Sequence, residues 1–219
     1  MNISNKYFNI IYDEKDSFLA NKLFDYLNDN VEGIYDFFDP KLDRKKIDIK
    51  LLSKKEYDEL HKKNYNGEVP KWSVGFYENY CITYVSLNDY KNTSHNIDNY
   101  EEALDYYLKT IVHEYVHFVT SEYCLKNNLD RPIKYLNEGI AQILSGQREK
   151  EKLVFKYDEN DVLDTNNNYQ AWYMATKYIL DTKGKDCFFE LLSNKEKAKD
   201  FVLKEIDNMK EYYHKNLQK

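Results

Sequence analysis

The sequence predicts an α+β protein: one domain of 219 residues in which a mixed α/β lobe (1–99) precedes a mainly helical lobe (100–219). Three observations carry this reading. Up to residue 87, short β-prone runs alternate with helical repeats. From Tyr100 on, apolar residues recur at helical spacing. Between them, Asn88 to Asn99 is polar and rich in turn formers.

Each element has its own signal. Tyr7 to Tyr12 is a short apolar run that reads as a buried strand. Asp16-Ser17 offers an N-cap, and Leu19, Leu23, Leu27, Val31, Ile34 and Phe38 then keep helical spacing, so a long helix is expected over 17–38, closed by Asp39-Pro40. Lys46 to Leu52 alternates polar and apolar like a half-buried strand, and Ser53 to Lys63 reads as a short charged helix. Asn66-Gly67 and Pro70 mark a loop. Trp72–Tyr77 and Tyr80–Leu87 form a hairpin around Glu78-Asn79.

In the second half, Leu104, Leu108, Ile111, Val112, Tyr115 and Val119 make one stripe of a helix over 100–119. Further helices are expected from Pro132 or Lys134 to about Ser145, from Tyr169 to Thr182 ahead of Gly184, and over 186–216 with a break near Ser193-Asn194. No internal repeat and no low-complexity tract is present.

Composition narrows the function classes. Hydrophobic residues make up 42% and charged residues 32%, which suits a chain with a sizeable core and a solvated surface. A net charge of −6 disfavours nucleic acid as a partner, because phosphate contacts need a basic surface. The three cysteines, Cys81, Cys124 and Cys187, make no C-x-x-C pair and no disulfide framework, and fit a reducing compartment. Met1 to Ile11 lacks a basic start followed by an apolar run, and no stretch nears the roughly 18 apolar residues of a membrane span. The expectation is a cytoplasmic protein, or a secreted one whose leader has been removed. The 22 tyrosines read mainly as amphipathic residues at the core edge.

The residues that carry chemistry are His113-Glu114-Tyr115-Val116-His117. On a helix, positions i and i+4 share a face, so His113 and His117 can converge on one Zn²⁺. Glu114 lies about 100° round the helix from His113, beside a bound ion without having to ligate it. From there it can take a proton from a water acidified by the metal and return it to a leaving amine. A catalytic zinc takes three protein ligands and keeps a fourth place open. Glu138, in Leu136-Asn137-Glu138-Gly139-Ile140-Ala141, follows His117 after twenty residues, enough for a second helix to return alongside the first. It lies off the Leu136, Ile140, Ile143 and Leu144 stripe, as a ligand facing a cleft would, and as a solvent-facing glutamate would too. Gly139 within a helix costs up to about 1 kcal/mol relative to alanine. A close approach of the two helices would account for it.

His-Glu-Tyr-Val-His together with Leu-Asn-Glu-Gly-Ile-Ala resembles the gluzincin branch of the zinc metallopeptidases, and the Peptidase-MA-like bacterial proteins in particular. The resemblance covers about residues 70–182. It implies a thermolysin-like catalytic fold with the active site in the cleft between the two lobes, His113, His117 and Glu138 as zinc ligands, and Glu114 as general base. It also implies that the Trp72-Ser73-Val74-Gly75 strand, with the Tyr80–Leu87 run, offers an edge that grips extended peptide by main-chain hydrogen bonds; the alternative is an ordinary sheet hairpin. A tyrosine of a later helix would steady the oxyanion: Tyr169, with Tyr173 one turn on as the second candidate. Four residues after the third ligand, where relatives often carry an acid that orients a ligating histidine, this chain has Gln142. Its amide oxygen can accept an imidazole N–H but brings no charge.

Two functions follow. One is a zinc endopeptidase acting on a peptide or protein substrate. The other is a weakly active or non-catalytic zinc-holding module that captures a partner along its strand edge. The intact Glu114 favours the first, and Gln142 leans toward the second.

Overall fold

The structure, a computed structural model, describes residues 1–65, 69, 73–93, 98–163 and 168–217. The loop expected at Asn66-Gly67 and Pro70, Trp72, and Asn166-Asn167 ahead of the Tyr169 helix lie outside the described residues. The chain is mixed α and β, and it divides into two compact units, Met1–Phe118 and Val119–Lys219.

The first unit is built on a five-stranded mixed sheet in the order β1-β2-β3-β5-β4. Strand β1 (Asn2–Ser4) lies antiparallel to β2 (Phe8–Ile11), which runs parallel to β3 (Ile47–Leu52) with Phe8 opposite Ile47. β3 in turn runs parallel to β5 (Cys81–Val85), with Ile49 opposite Ile82. Helix α1 (Ser17–Phe38) makes the crossover from β2 to β3, and α2 (Lys54–Tyr65) begins the next one. Parallel neighbours need such connections. Period-2 burial of Ile47, Ile49 and Leu51, and of Phe8 and Ile10, sets the register. β1 has no counterpart in the sequence reading, because three mostly polar residues give no periodicity.

Strand β4 (Gly75–Glu78) is an edge strand, antiparallel to β5, with Glu78 opposite Cys81. The two-residue turn is Asn79-Tyr80, one residue later than the sequence suggests. Both residues have positive φ, 49° and 59°, as the favoured turn of a two-residue hairpin requires. The Tyr77 and Tyr80 rings each lie 5.9 Å from the Phe118 ring, so the hairpin is pinned to the long helix α3 (Tyr100–Lys126).

Asp16 behaves differently from a simple N-cap. Its side chain caps nothing at the start of α1. It is 1% exposed, and its Oδ1 accepts hydrogen bonds from Ser86 Oγ at 2.5 Å and Asn88 Nδ2 at 2.6 Å. The start of α1 is thereby tied to the 3-10 turn Leu87–Asn92 that follows β5.

Helix α3 extends past Val119, where its apolar stripe ends, to Lys126. Thr120, Glu122 and Cys124 continue it as buried residues. The division between the units falls after Phe118, inside this helix, and not in the 88–99 stretch that composition marks. The reason is visible in the packing. Tyr107 of α3 meets Tyr84 of β5 at 5.2 Å and Tyr90 at 5.3 Å, edge to face, so the front of α3 completes the core of the sheet.

The second unit contains α4 (Lys134–Leu144), the short α5 (Glu159–Leu163), α6 (Tyr169–Thr182), α7 (Gly184–Leu191) and α8 (Lys195–Leu217). α6 begins and ends where the sequence places it, and Asn168 caps it by accepting from the Ala171 N–H at 3.3 Å. The expected break in the last helical stretch separates α7 from α8, where the Asn194 side chain accepts from the Lys197 N–H. α6 is the centre of this unit: Ala171, Trp172, Met174, Ala175 and Ile179 are fully buried. From α8, Tyr213 donates to the Met174 carbonyl at 2.7 Å and stacks on Phe155. No described helix is long and apolar enough to cross a membrane.

Burial pushes the Tyr107 hydroxyl far above the usual tyrosine range, and among the described residues that hydroxyl has no hydrogen-bond partner. An unsatisfied buried donor costs about 1–3 kcal/mol. Tyr107→Phe keeps the ring contacts and removes the orphan, so it is expected to stabilise the protein by about 1 kcal/mol, read as a higher urea midpoint at unchanged slope.

Candidate metal centre

The candidate site starts from α3. Asn99 accepts from the Glu101 and Glu102 N–H groups at 3.0 and 3.3 Å, and these two acids sit at the positive end of the helix dipole. From Ile111 to Val119 the apolar side chains are all fully buried, Tyr115 and Phe118 included. Tyr115 packs toward α1: its hydroxyl is held far above the ordinary range by burial first and by neighbouring Tyr35 second. The polar residues of this stretch are therefore gathered on the remaining face. His113 is buried, His117 and Glu114 are half-buried, and the two imidazole rings lie 4.6 Å apart with their planes at 88°. Glu114 lies toward β5, where its charge adds to the burial that raises the Tyr84 hydroxyl.

Glu138 comes from the second turn of α4. One ligand atom from each of His113, His117 and Glu138 lies within 4.8 Å of the others, close enough to share one ion. Two imidazole nitrogens and a carboxylate oxygen form a donor set that suits several divalent metals. The three residues that the sequence offers as ligands are thus brought together.

The setting of Glu138 is fixed by how α4 packs on α6. A Cβ built on Gly139 would lie 2.6 Å from both the Trp172 carbonyl oxygen and Thr176 Cβ, and closer still to Thr176 Oγ1. Only glycine permits this approach. The close contact is therefore with α6 and not, as the sequence reading supposes, with the helix that carries the histidines. Along the same antiparallel seam, Thr176 Oγ1 donates to the Tyr135 carbonyl at 3.4 Å. At the other end, Gln142 Nε2 donates to the Tyr169 carbonyl at 3.0 Å.

Gln142 corrects a second expectation. Its oxygen accepts from Arg148 Nε and not from an imidazole, while its Nε2 also donates to the Glu138 carbonyl at 3.2 Å. Arg148 returns to this point because α4 ends in a left-handed cap. Gly146 has φ +68°, its N–H reaches the Ile143 carbonyl, and the Gln147 N–H reaches that of Gln142. Arg148 NH1 then holds Glu151 at 2.8 and 2.7 Å. Nothing in residue spacing singles out Arg148. Gly146 just beyond the last periodic residue was the one available signal that the chain doubles back there.

Tyr169 heads α6, half-buried, with its ring 5.2 Å from Trp172 and its main chain held by Gln142. Tyr173 is 5% exposed, and its hydroxyl is raised by burial and by the carboxylates of Glu149 and Asp181. Of the two tyrosines considered for the oxyanion, Tyr169 is the more accessible.

Comparison with protein-family models, with curated proteins and with solved structures gives no match. The site is accordingly defined by its own residues.

Gly139→Ala is expected to destabilise the protein by about 1–3 kcal/mol, because the new methyl meets main chain that cannot turn aside. The same shift of α4 displaces Glu138. Urea unfolding together with metal titration by calorimetry checks both: lower stability, and weaker binding in the protein that remains folded.

Proposed function

We propose that this chain is a zinc-dependent endopeptidase of gluzincin type, with a thermolysin-like catalytic architecture. The observation that carries the reading is the convergence of His113, His117 and Glu138 to within 4.8 Å, with Glu114 set between the two histidines on the same helix. Zinc held by these residues would supply Lewis acidity, polarising a carbonyl and acidifying a water.

The residues of the chain do the rest. Glu114 accepts the proton of the attacking water and passes it to the amine that leaves. Half-burial of Glu114, next in the chain to His113, suits that work. The Tyr169 hydroxyl donates to the oxygen on which negative charge develops. Its partial exposure supports this role over Tyr173. Extended peptide would add to the outer edge of β4, which among the described residues carries no further strand. The packing of Tyr77 and Tyr80 on Phe118, the residue after His117, supports placing that edge near the chemistry.

The test separates an enzyme from a binding module. Glu114→Gln should keep about one zinc per chain and lose peptide-library cleavage by about 10²-fold or more, as removal of a general base does. Equal cleavage by the variant and the wild type would sink the mechanism, and a wild type that binds zinc but cleaves nothing would favour the binding module. Tyr169→Phe is expected to lower kcat by about 10²-fold with KM little changed, as loss of one oxyanion donor does. Steady-state kinetics on one cleaved peptide decides it.

A further inference from the structure

Gln142 stands out among buried polar groups. It is 2% exposed, yet every hydrogen-bonding atom of its amide is engaged. Nε2 donates to two main-chain carbonyls on different helices, Glu138 on α4 at 3.2 Å and Tyr169 on α6 at 3.0 Å. Oε1 accepts from Arg148 Nε. A carboxylate could not do this, because it has no donor and would face two carbonyl oxygens with like partial charge. The amide is also fixed in orientation: Arg148 offers only donors and the two carbonyls are only acceptors, so a flipped amide would lose all three bonds. Arg148 is itself held by Glu151.

We propose that Gln142 is a positioning residue that clamps the head of α6 to the turn of α4 bearing Glu138, so that Tyr169 sits at a fixed place beside the third ligand, with Arg148 locking the clamp. The catalytic consequence rests on the zinc-peptidase reading above; the clamp itself does not. Gln142 acts through the Tyr169 main chain and touches no reacting atom. Glutamine at this position is therefore a requirement of the α4–α6 seam and not a weakened form of an acidic partner to a histidine. Gly139 brings the helices close enough for one side chain to span them, and the Gly146 cap returns Arg148 to the amide oxygen.

The first measurement needs neither a variant nor activity. In the isotope-labelled full chain, scalar couplings across hydrogen bonds should link Gln142 Nε2 to the carbonyl carbons of Glu138 and Tyr169. Absence of the Tyr169 coupling, with fast exchange of the Gln142 side-chain amide protons, overturns the clamp. The second is a double-mutant cycle in the zinc-loaded chain. Gln142→Glu should lower kcat by about 10- to 100-fold, the scale of a misplaced catalytic group, with KM and zinc affinity unchanged. In the Tyr169→Phe background it should have little further effect. An undiminished loss in that background, or weakened zinc binding, overturns the proposal, because Gln142 would then act through Glu138 and not through Tyr169. If Gln142→Glu does not fold, Arg148→Lys, which removes the Nε donor, takes its place with the same expected pattern. A wild-type chain that cleaves no peptide defeats the peptidase reading alone, and the couplings still decide the clamp.

Discussion

The contact between the backbone of α4 at Gly139 and the backbone of α6 at Trp172 sets the spacing on which the Glu138 side of the candidate site depends. Glycine in a helix interior is the costlier choice by close to 1 kcal/mol relative to alanine. Here the missing methyl lets a carbonyl and a threonine take its place. With the two helices that close, Tyr135, Gly139 and Gln142 on one side meet Thr176, Trp172 and Tyr169 on the other. Glu138 is then one residue off a rigid seam. A carboxylate so placed gives up less conformational entropy on binding an ion than a free one would.

The histidine side obeys a different constraint. α3 is buried on most of its circumference between Ile111 and Val119, so its polar residues have one direction left to face. Helical arithmetic aligns His113 with His117, and burial of Tyr115 and Phe118 keeps the helix from rotating to any other alignment. The same packing that makes this helix a core element fixes its chemistry.

Much of this was legible in the sequence, for particular reasons. α1 and α6 have long, unbroken apolar periods bounded by Asp39-Pro40, Asn168 and Gly184, and their ends fall where the punctuation puts them. The grouping of His113, His117 and Glu138 was legible because two of them share a helix and the third sits in a second helix of suitable spacing. What was not legible is long-range. Asp16 looks like a cap because its true partners, Ser86 and Asn88, are about seventy residues away. The glycine at 139 signals a close approach but cannot say to which helix. The partner of Gln142 could not be read either, since Arg148 reaches it only through the reversal at Gly146. The extension of α3 to Lys126 lacks an apolar period and is carried by buried Thr120, Glu122 and Cys124.

The Asp16 clasp bears on how the first unit comes into being. Its two partners follow β5, the last strand of the sheet to be made, and the parallel pairing of β3 with β5 also waits for that strand. Closing so long a loop is entropically expensive before its contacts form, and parallel pairing between distant segments slows folding. Until residues 81–88 are made, the edge of β3 and the Asp16 carboxylate lack these partners. Residues 81–88 close that edge and bring both donors to Asp16 Oδ1 together. Closure of the sheet thus waits for its last strand, and the core of the unit is completed only when the front of α3 follows.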